Sequence, residues 1–108
     1  MQRRSNAESM LVSDIIHRTY PVAQLYRINT GCVKTATGYQ FSTGTPAGFP
    51  DLAGYRRSDG RAVYIEVKVA PNKPTDKQLA FLAQARSAGC LAGVAYSAEE
   101  AVNIILGE

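Results

Sequence analysis

Apolar residues recur at two different spacings along this chain, and the changes in spacing divide it into helices and strands. Three segments have apolar positions three or four residues apart, the spacing of one helix face: residues 7–18, 79–88 and 101–106. Three others favour strands by β-forming composition or by alternation of apolar and polar residues: residues 22–28, 51–57 and 61–69. A short apolar run at residues 91–96 suits a buried strand. The pattern therefore predicts the element order α-β-β-β-α-β-α.

Each predicted helix begins with the same capping signal, a hydroxyl residue followed three positions later by a glutamate or glutamine. The three pairs are Ser5 with Glu8, Thr75 with Gln78, and Ser97 with Glu100. These signals predict where the helices start. They also explain Glu8 and Gln78 without any catalytic role, a reading that stays open beside the functional one below.

The connections between the strands predict a mixed sheet. Asp59 and Gly60 separate the second strand from the third, and an Asp-Gly pair in this position is typical of a tight antiparallel hairpin. A helix separates the third strand from the fourth, and a crossover of that kind joins parallel strands. The predicted fold class is therefore α/β, with a mixed central sheet flanked by helices.

Residues 30–48 form a connection that is long for a small domain, and they contain four glycines. Connections of this length are often functional, for example as binding loops. The alternative is an irregular hairpin with a purely structural role.

Composition limits the possible classes of protein. The chain has 108 residues, 45% of them hydrophobic, and its net charge is +3. This length supports one core, so residues 1–108 are expected to form a single domain. The small positive charge permits a polyanionic partner without requiring one. No apolar run approaches the roughly 20 residues of a membrane span, and Cys32 and Cys90 lack zinc-site spacing, so we expect a cytoplasmic protein with reduced thiols.

The candidate chemistry lies in Asp51, Glu66 and Lys68. Glu66 and Lys68 are two apart on the third strand and so share a face, while Asp51 opens the strand that the hairpin folds beside it. Two carboxylates would then meet at the ends of adjacent strands, with the Val67 carbonyl between Glu66 and Lys68. Oxygen ligands of this kind suit Mg²⁺ or Mn²⁺. The alternative is ordinary, since surface strands often alternate charges for solubility.

Positive charge is scattered along the chain and does not form a stripe. Each of these cations either contacts phosphates or is simply solvated surface, and the sequence leaves both readings open: Lys34, Arg56, Arg57, Lys73 and Lys77.

The order of these motifs resembles a known nuclease family. Pro50 and Asp51, then Glu66, Val67 and Lys68, then Gln78 early in the next helix together resemble the PD-(D/E)XK nuclease superfamily. More narrowly, they resemble its VRR-NUC branch, the virus-type replication-repair nucleases. The resemblance covers most of the chain, since residues 64–68, 78–82 and 93–97 match the family's strand, following helix, and last strand with the next helix start.

The resemblance implies a restriction-endonuclease-like core and Mg²⁺- or Mn²⁺-dependent DNA cleavage. It places Asp51, Glu66 and the Val67 carbonyl on the metal, and Lys68 at the attacking water. It makes Glu8 a metal ligand or supporting acid, and we expect Gln78 to hold the water or a phosphate. It also implies branched DNA or Holliday junctions as substrates, and a bacterial or phage-encoded protein, since stand-alone members are of that type.

The proposed substrate also bears on the oligomeric state. Cutting both strands of a symmetric junction needs two sites, which predicts a two-fold homodimer. The competing hypotheses are a non-catalytic nucleic-acid-binding module on a nuclease fold and a nuclease that acts on other DNA or on RNA.

Overall fold

The computed structural model describes residues 6–28 and 45–107 in full, and the backbone of residues 32–34 and 40–42. The three helices are α1 (Asn6–Thr19), α2 (Asp76–Ser87) and α3 (Ala98–Leu106). Four strands form the main sheet: β1 (Ala23–Arg27), β4 (Leu52–Arg56), β5 (Ala62–Val67) and β6 (Leu91–Ala95). Two short strands pair separately: β2 (Cys32–Lys34) and β3 (Gln40–Ser42).

The main sheet has the strand order β1-β4-β5-β6. β1 pairs with β4 and β4 pairs with β5 in antiparallel fashion, whereas β5 and β6 are parallel. The predicted α/β class, mixed sheet and element order are confirmed, and the antiparallel pair of β2 and β3 is an additional hairpin inside residues 30–48. The turn at Asp59 and Gly60 is also confirmed, because Gly60 has a φ of 75° and its N–H donates to the Arg56 carbonyl.

One face of the sheet carries the main core, beneath α1 and α3. Alternate residues of β5 point to this face, and Val63, Ile65 and Val67 are each fully buried there. They pack with Ile15 of α1 and Ile105 of α3, which are equally buried. Burial of apolar side chains on both sides of this interface supplies the main driving force for folding.

The opposite face of the sheet is covered by α2 where β5 and β6 run. Leu82 and Ala85 of α2 form a second small core with Ala92 of β6, and Tyr64 of β5 packs against it. Both faces of β5 are therefore buried. This explains why Glu66, which the alternation rule allows to be solvated, is only 2% exposed.

The helix caps follow the predicted signals with one variation. Thr75 and Gln78 form a complete capping box before α2. Before α3, the Ser97 hydroxyl accepts from the Glu100 N–H, but the Glu100 carboxylate accepts from the Tyr96 N–H. Ser5 lies outside the described residues. None of the helices in the described segments is long and apolar enough to cross a membrane.

Candidate active site

Asp51 lies immediately before β4, at the edge of the sheet where β5 ends. Its Oδ2 accepts a hydrogen bond of 2.9 Å from the Val67 N–H. Its carbonyl oxygen accepts one of 2.8 Å from the Ile28 N–H, just beyond β1. The residue is therefore tied to both neighbouring strands, and the carboxylate is held beside the last residues of β5.

Glu66 places a second carboxylate beside Asp51 in a nearly dry environment. Its side chain is 3% exposed, and its Oε2 has no hydrogen-bond partner among the described residues. A buried carboxylate oxygen without a partner is costly, and such atoms in folded proteins usually mark a bound ion, a water or a functional role. The Glu66 carboxylate therefore has an oxygen available for a ligand.

The surroundings of Glu66 raise its pKa from 4.5 to about 9. Burial is the largest cause, because it disfavours the charged form. The hydrogen bond and negative charge of Asp51 add to the rise, as does the charge of Glu8, while Lys68 opposes it. A cation bound between the two carboxylates would reverse this balance by favouring the ionised form.

Lys68 completes the group of three that the sequence predicts. Its N–H donates to the Ala95 carbonyl at 3.1 Å, which continues the parallel pairing one residue beyond β5. Its Nζ lies 3.8 Å from Glu66 Oε1, close enough for an ion pair but too far for a direct hydrogen bond. The structure thus brings Asp51, Glu66 and Lys68 together at one edge of the sheet.

The segment before Asp51 is fixed by close packing against α2. Gly48 has a φ of +85°, and a Cβ at this position would lie only 2.7 Å from the Lys77 carbonyl oxygen. Phe49 packs edge-on against Phe81 of α2 and Tyr64 of β5, with ring centroids 4.9 and 6.0 Å apart. These contacts set the path of the chain as it enters Asp51.

The aromatic cluster of Phe49, Tyr64 and Phe81 is not among the features predicted from the sequence. A signal was nevertheless present in the spacing. Phe49 and Tyr64 each precede a site carboxylate by two residues, which puts Tyr64 and Glu66 on one face of β5. Phe81 follows Gln78 by three residues, which puts the two on one side of α2.

Gln78 and Glu8 have different surroundings. The Gln78 Oε1 accepts from the Thr75 N–H at 2.8 Å, so this atom is occupied by the capping box. Glu8 lies on α1, and its charge reaches Glu66. Within the described segments, no three His, Cys, Asp or Glu side chains form a group that could hold a metal ion. The structure brings the two predicted ligand carboxylates together here, and a metal-binding role for them stays a prediction, as do the roles of Glu8, Gln78 and the Val67 carbonyl.

The predicted DNA-contacting cations lie in two different places. Lys73 lies in the loop after Lys68 and Lys77 in the first turn of α2, near the site edge of the sheet. Arg56 and Arg57 lie at the opposite end of β4. The side chain of Lys34 falls outside the described residues.

Arg56 and Arg57 also point to opposite faces of the sheet. The Arg56 guanidinium donates to the Ile105 carbonyl at the end of α3 and pairs with Asp59. The Arg57 guanidinium donates to the Tyr20 carbonyl and to Gln24 Oε1. Contact of either arginine with DNA stays a prediction.

The fold and site together define a nuclease-fold module: a mixed sheet flanked by three helices, with a carboxylate pair and a lysine at one sheet edge. The VRR-NUC domain family model matches residues 30–99, more than half of the 108 residues, and the chain belongs to that family. A solved structure described as a VRR_NUC domain has the same fold, with a TM-score of 0.66 and 20% sequence identity. The match covers 94% of this chain and 97% of that chain. A comparison with curated proteins found no match.

Proposed function

We propose that this protein is a metal-dependent nuclease that hydrolyses phosphodiester bonds in DNA, with a preference for branched structures such as four-way junctions. The observation that carries the proposal is the pairing of Asp51 with Glu66, whose buried Oε2 has no partner among the described residues. Lys68 stands 3.8 Å from the same carboxylate. Membership of the VRR-NUC family supports a nuclease role for this arrangement.

The residues present fit Mg²⁺ or Mn²⁺, because both ions prefer carboxylate, carbonyl and water oxygens. Asp51 and Glu66 would hold the ion, with the Val67 carbonyl and Glu8 as further candidate ligands. When bound, such an ion polarises a phosphoryl oxygen and acidifies a water. The Val67 N–H occupies Asp51 Oδ2, so the orientation of this carboxylate is set before any ligand arrives.

Lys68 is the candidate for orienting the attacking water. Its ammonium group can donate to that water and can offset the negative charge that develops on the phosphate. Gln78 is a weaker candidate, because its Oε1 is already bonded to Thr75 N. Any contact of Gln78 with water or phosphate would therefore come from its Nε2.

We expect lysines near the site to bind the DNA backbone. Lys73 lies in the loop after Lys68 and Lys77 in the first turn of α2, so both would contact phosphates near the site, an interaction that weakens as salt is raised.

Two protomers related by a two-fold axis would present two sites to a symmetric junction. Light scattering should give a dimer mass with or without DNA, and a monomer mass in both conditions would contradict this part.

The test is a cleavage assay on labelled four-way, flap, fork and plain duplex DNA with Mg²⁺ or Mn²⁺. The wild type should cut branched substrates, and both Lys68→Ala and Asp51→Asn should lose at least about a hundredfold in rate. Arg18→Ala is a matched control, since Arg18 is an exposed cation on α1 paired with Asp14. Equal cleavage by the wild type and both site variants would place the activity elsewhere.

The main alternative is a module that binds nucleic acid without cutting it. The hypothesis of a non-catalytic module predicts that Asp51→Asn does not change DNA affinity and that calorimetry detects no metal binding. Parallel digestion of DNA and RNA separates the third possibility, a nuclease that prefers RNA.

A further inference from the structure

Among the described residues, α2 covers only part of its face of the sheet. α2 packs on β5 and β6, whereas β1 and β4 lie further along the same sheet. On this face, β1 presents Tyr26 and β4 presents Tyr55, because Leu25 of β1 and Leu52 of β4, which lie an odd number of residues away from them, are buried in the main core. Tyr26 is 55% exposed and Tyr55 is 41% exposed.

The strand register puts these two tyrosines next to each other. Gln24 pairs with Tyr55 and Tyr26 pairs with Ala53, so the tyrosines are diagonal neighbours. Diagonal positions on one face lie about 7–8 Å apart, within reach of aromatic side chains. The register therefore places two exposed aromatic side chains near each other on one face of the sheet.

This surface is continuous with the candidate active site. Asp51 precedes Ala53 by two residues, so the two residues belong to the same face of the sheet. The Ile28 N–H donates to the Asp51 carbonyl, which extends the β1–β4 register by one row. Tyr26 is therefore a diagonal neighbour of Asp51, and Tyr55 lies further from it along the same strand.

An arginine ends the surface on the side away from Asp51. The Arg57 guanidinium lies 4.3 Å from the centroid of the Tyr20 ring and donates to Gln24 Oε1 at 3.0 Å. Tyr20 is itself 57% exposed. We call Tyr20, Tyr26, Tyr55 and Arg57 the tyrosine strip.

The chemistry of the tyrosine strip favours one kind of occupant. β1 and β4 contain no Asp or Glu, so nothing within these two strands repels a polyanion. Exposed aromatic rings beside a cation are the combination on which single-stranded nucleic acids bind, because every base has a face that can stack. Bases inside a duplex are already stacked on their neighbours and cannot use such a surface.

We propose that the tyrosine strip stacks the unpaired bases of a DNA single strand that leads away from the scissile phosphate at Asp51 and Glu66. The inference rests on the proposed nuclease function and names the feature by which the protein would select branched or flapped DNA. Tyr26 binds the base nearest the site, Tyr55 the next, and Arg57 with Tyr20 receives the strand beyond.

The test measures single-strand binding without cleavage, by fluorescence anisotropy of a labelled oligothymidylate in EDTA. Tyr26→Ala and Tyr55→Ala should each weaken its affinity about tenfold, the loss expected for one base stack. Tyr26→Phe keeps the ring and should retain the affinity. Binding of a blunt duplex should be the same in all of these variants.

Two control variants distinguish a specific loss of binding from a loss of folded protein. Met10→Ala and Asn103→Ala change exposed side chains of α1 and α3, on the other side of the sheet, and should leave single-strand affinity unchanged. The chain has no tryptophan. Tyr26→Trp therefore adds a single reporter, whose fluorescence should fall when oligothymidylate is added, whereas Met10→Trp should show no change.

Three results would overturn the proposal or separate it from the nuclease function. Unchanged oligothymidylate affinity in both alanine variants overturns it, even where the wild type cleaves DNA. A shift from dimer to monomer in Tyr26→Ala by light scattering also overturns it, because the strip would then be an interface between copies. Loss of single-strand binding without any metal-dependent cleavage by the wild type supports the strip and contradicts the nuclease.

Discussion

The two ends of β4 place carboxylates in opposite electrostatic surroundings. At the turn end, Asp59 is exposed and pairs with Arg56, and the hydrogen bond from Arg56 lowers its pKa to about 2. At the other end, Asp51 stands beside Glu66, whose pKa rises to about 9 in a buried setting. At the turn end, a carboxylate is paired with an arginine. At the site end, two carboxylates lie together, one of them buried, and this arrangement lowers the stability of the fold. Strongly shifted pKa values cluster at functional sites, so the contrast favours the site end as the candidate functional end.

Removing the aromatic support of the site end should have the largest effect. Phe49→Ala deletes a ring that packs on both Phe81 and Tyr64, and we expect the free energy of unfolding to fall by about 2 kcal/mol. Cleavage should also slow at temperatures where the variant is fully folded, because the chain entering Asp51 is less restrained. Chemical denaturation and single-turnover cleavage measure the two effects.

Leu106→Ala serves as the comparison, since it removes an exposed apolar side chain of α3. If Phe49→Ala lowers stability but leaves the single-turnover rate of the folded protein intact, the aromatic cluster supports the fold and does not position Asp51.

Neutralising Glu66 should change how stability depends on pH. The raised pKa means that the folded protein keeps a proton on Glu66 that the unfolded chain releases above about pH 4.5. Without metal, the wild type should therefore lose stability relative to Glu66→Gln as the pH rises from about 5 to 9. Thermal melts in EDTA across this range measure the difference between the two proteins.

Mg²⁺ should stabilise the wild type at pH 8 but not Glu66→Gln, because an ion that binds only the folded state raises its stability. Glu99→Gln, at an exposed acid of α3, should follow the wild type throughout. Parallel curves for the wild type and Glu66→Gln at every pH would show that Glu66 is not held at a raised pKa.

Breaking the turn-end ion pair should have the smallest effect. Asp59→Asn removes the charged partner of Arg56, which keeps its hydrogen bond to the Ile105 carbonyl, and exposed ion pairs contribute little because water screens them. We expect a slightly lower melting temperature and an unchanged cleavage rate. A large loss of cleavage would show that the two ends of β4 are coupled, and would contradict a functional role confined to the site end.

Much of the fold follows from local patterns in the sequence. Capping signals locate α2 and α3, alternation locates β5, and Asp59 with Gly60 locates the hairpin that sets Asp51 beside Glu66. The burial of Glu66 does not follow from these patterns, because it depends on α2 crossing the other face of the sheet. Alternation alone also cannot show that Arg56 reaches α3 while Arg57 reaches Gln24.

Calorimetric titration of Mn²⁺ into the wild type and Glu66→Gln at pH 8 tests the central claim most directly. We predict saturable binding to the wild type and its loss in Glu66→Gln, with Glu99→Gln binding as the wild type does. Absence of Mn²⁺ binding to the wild type, or equal binding to the wild type and Glu66→Gln, would contradict a metal site at Asp51 and Glu66.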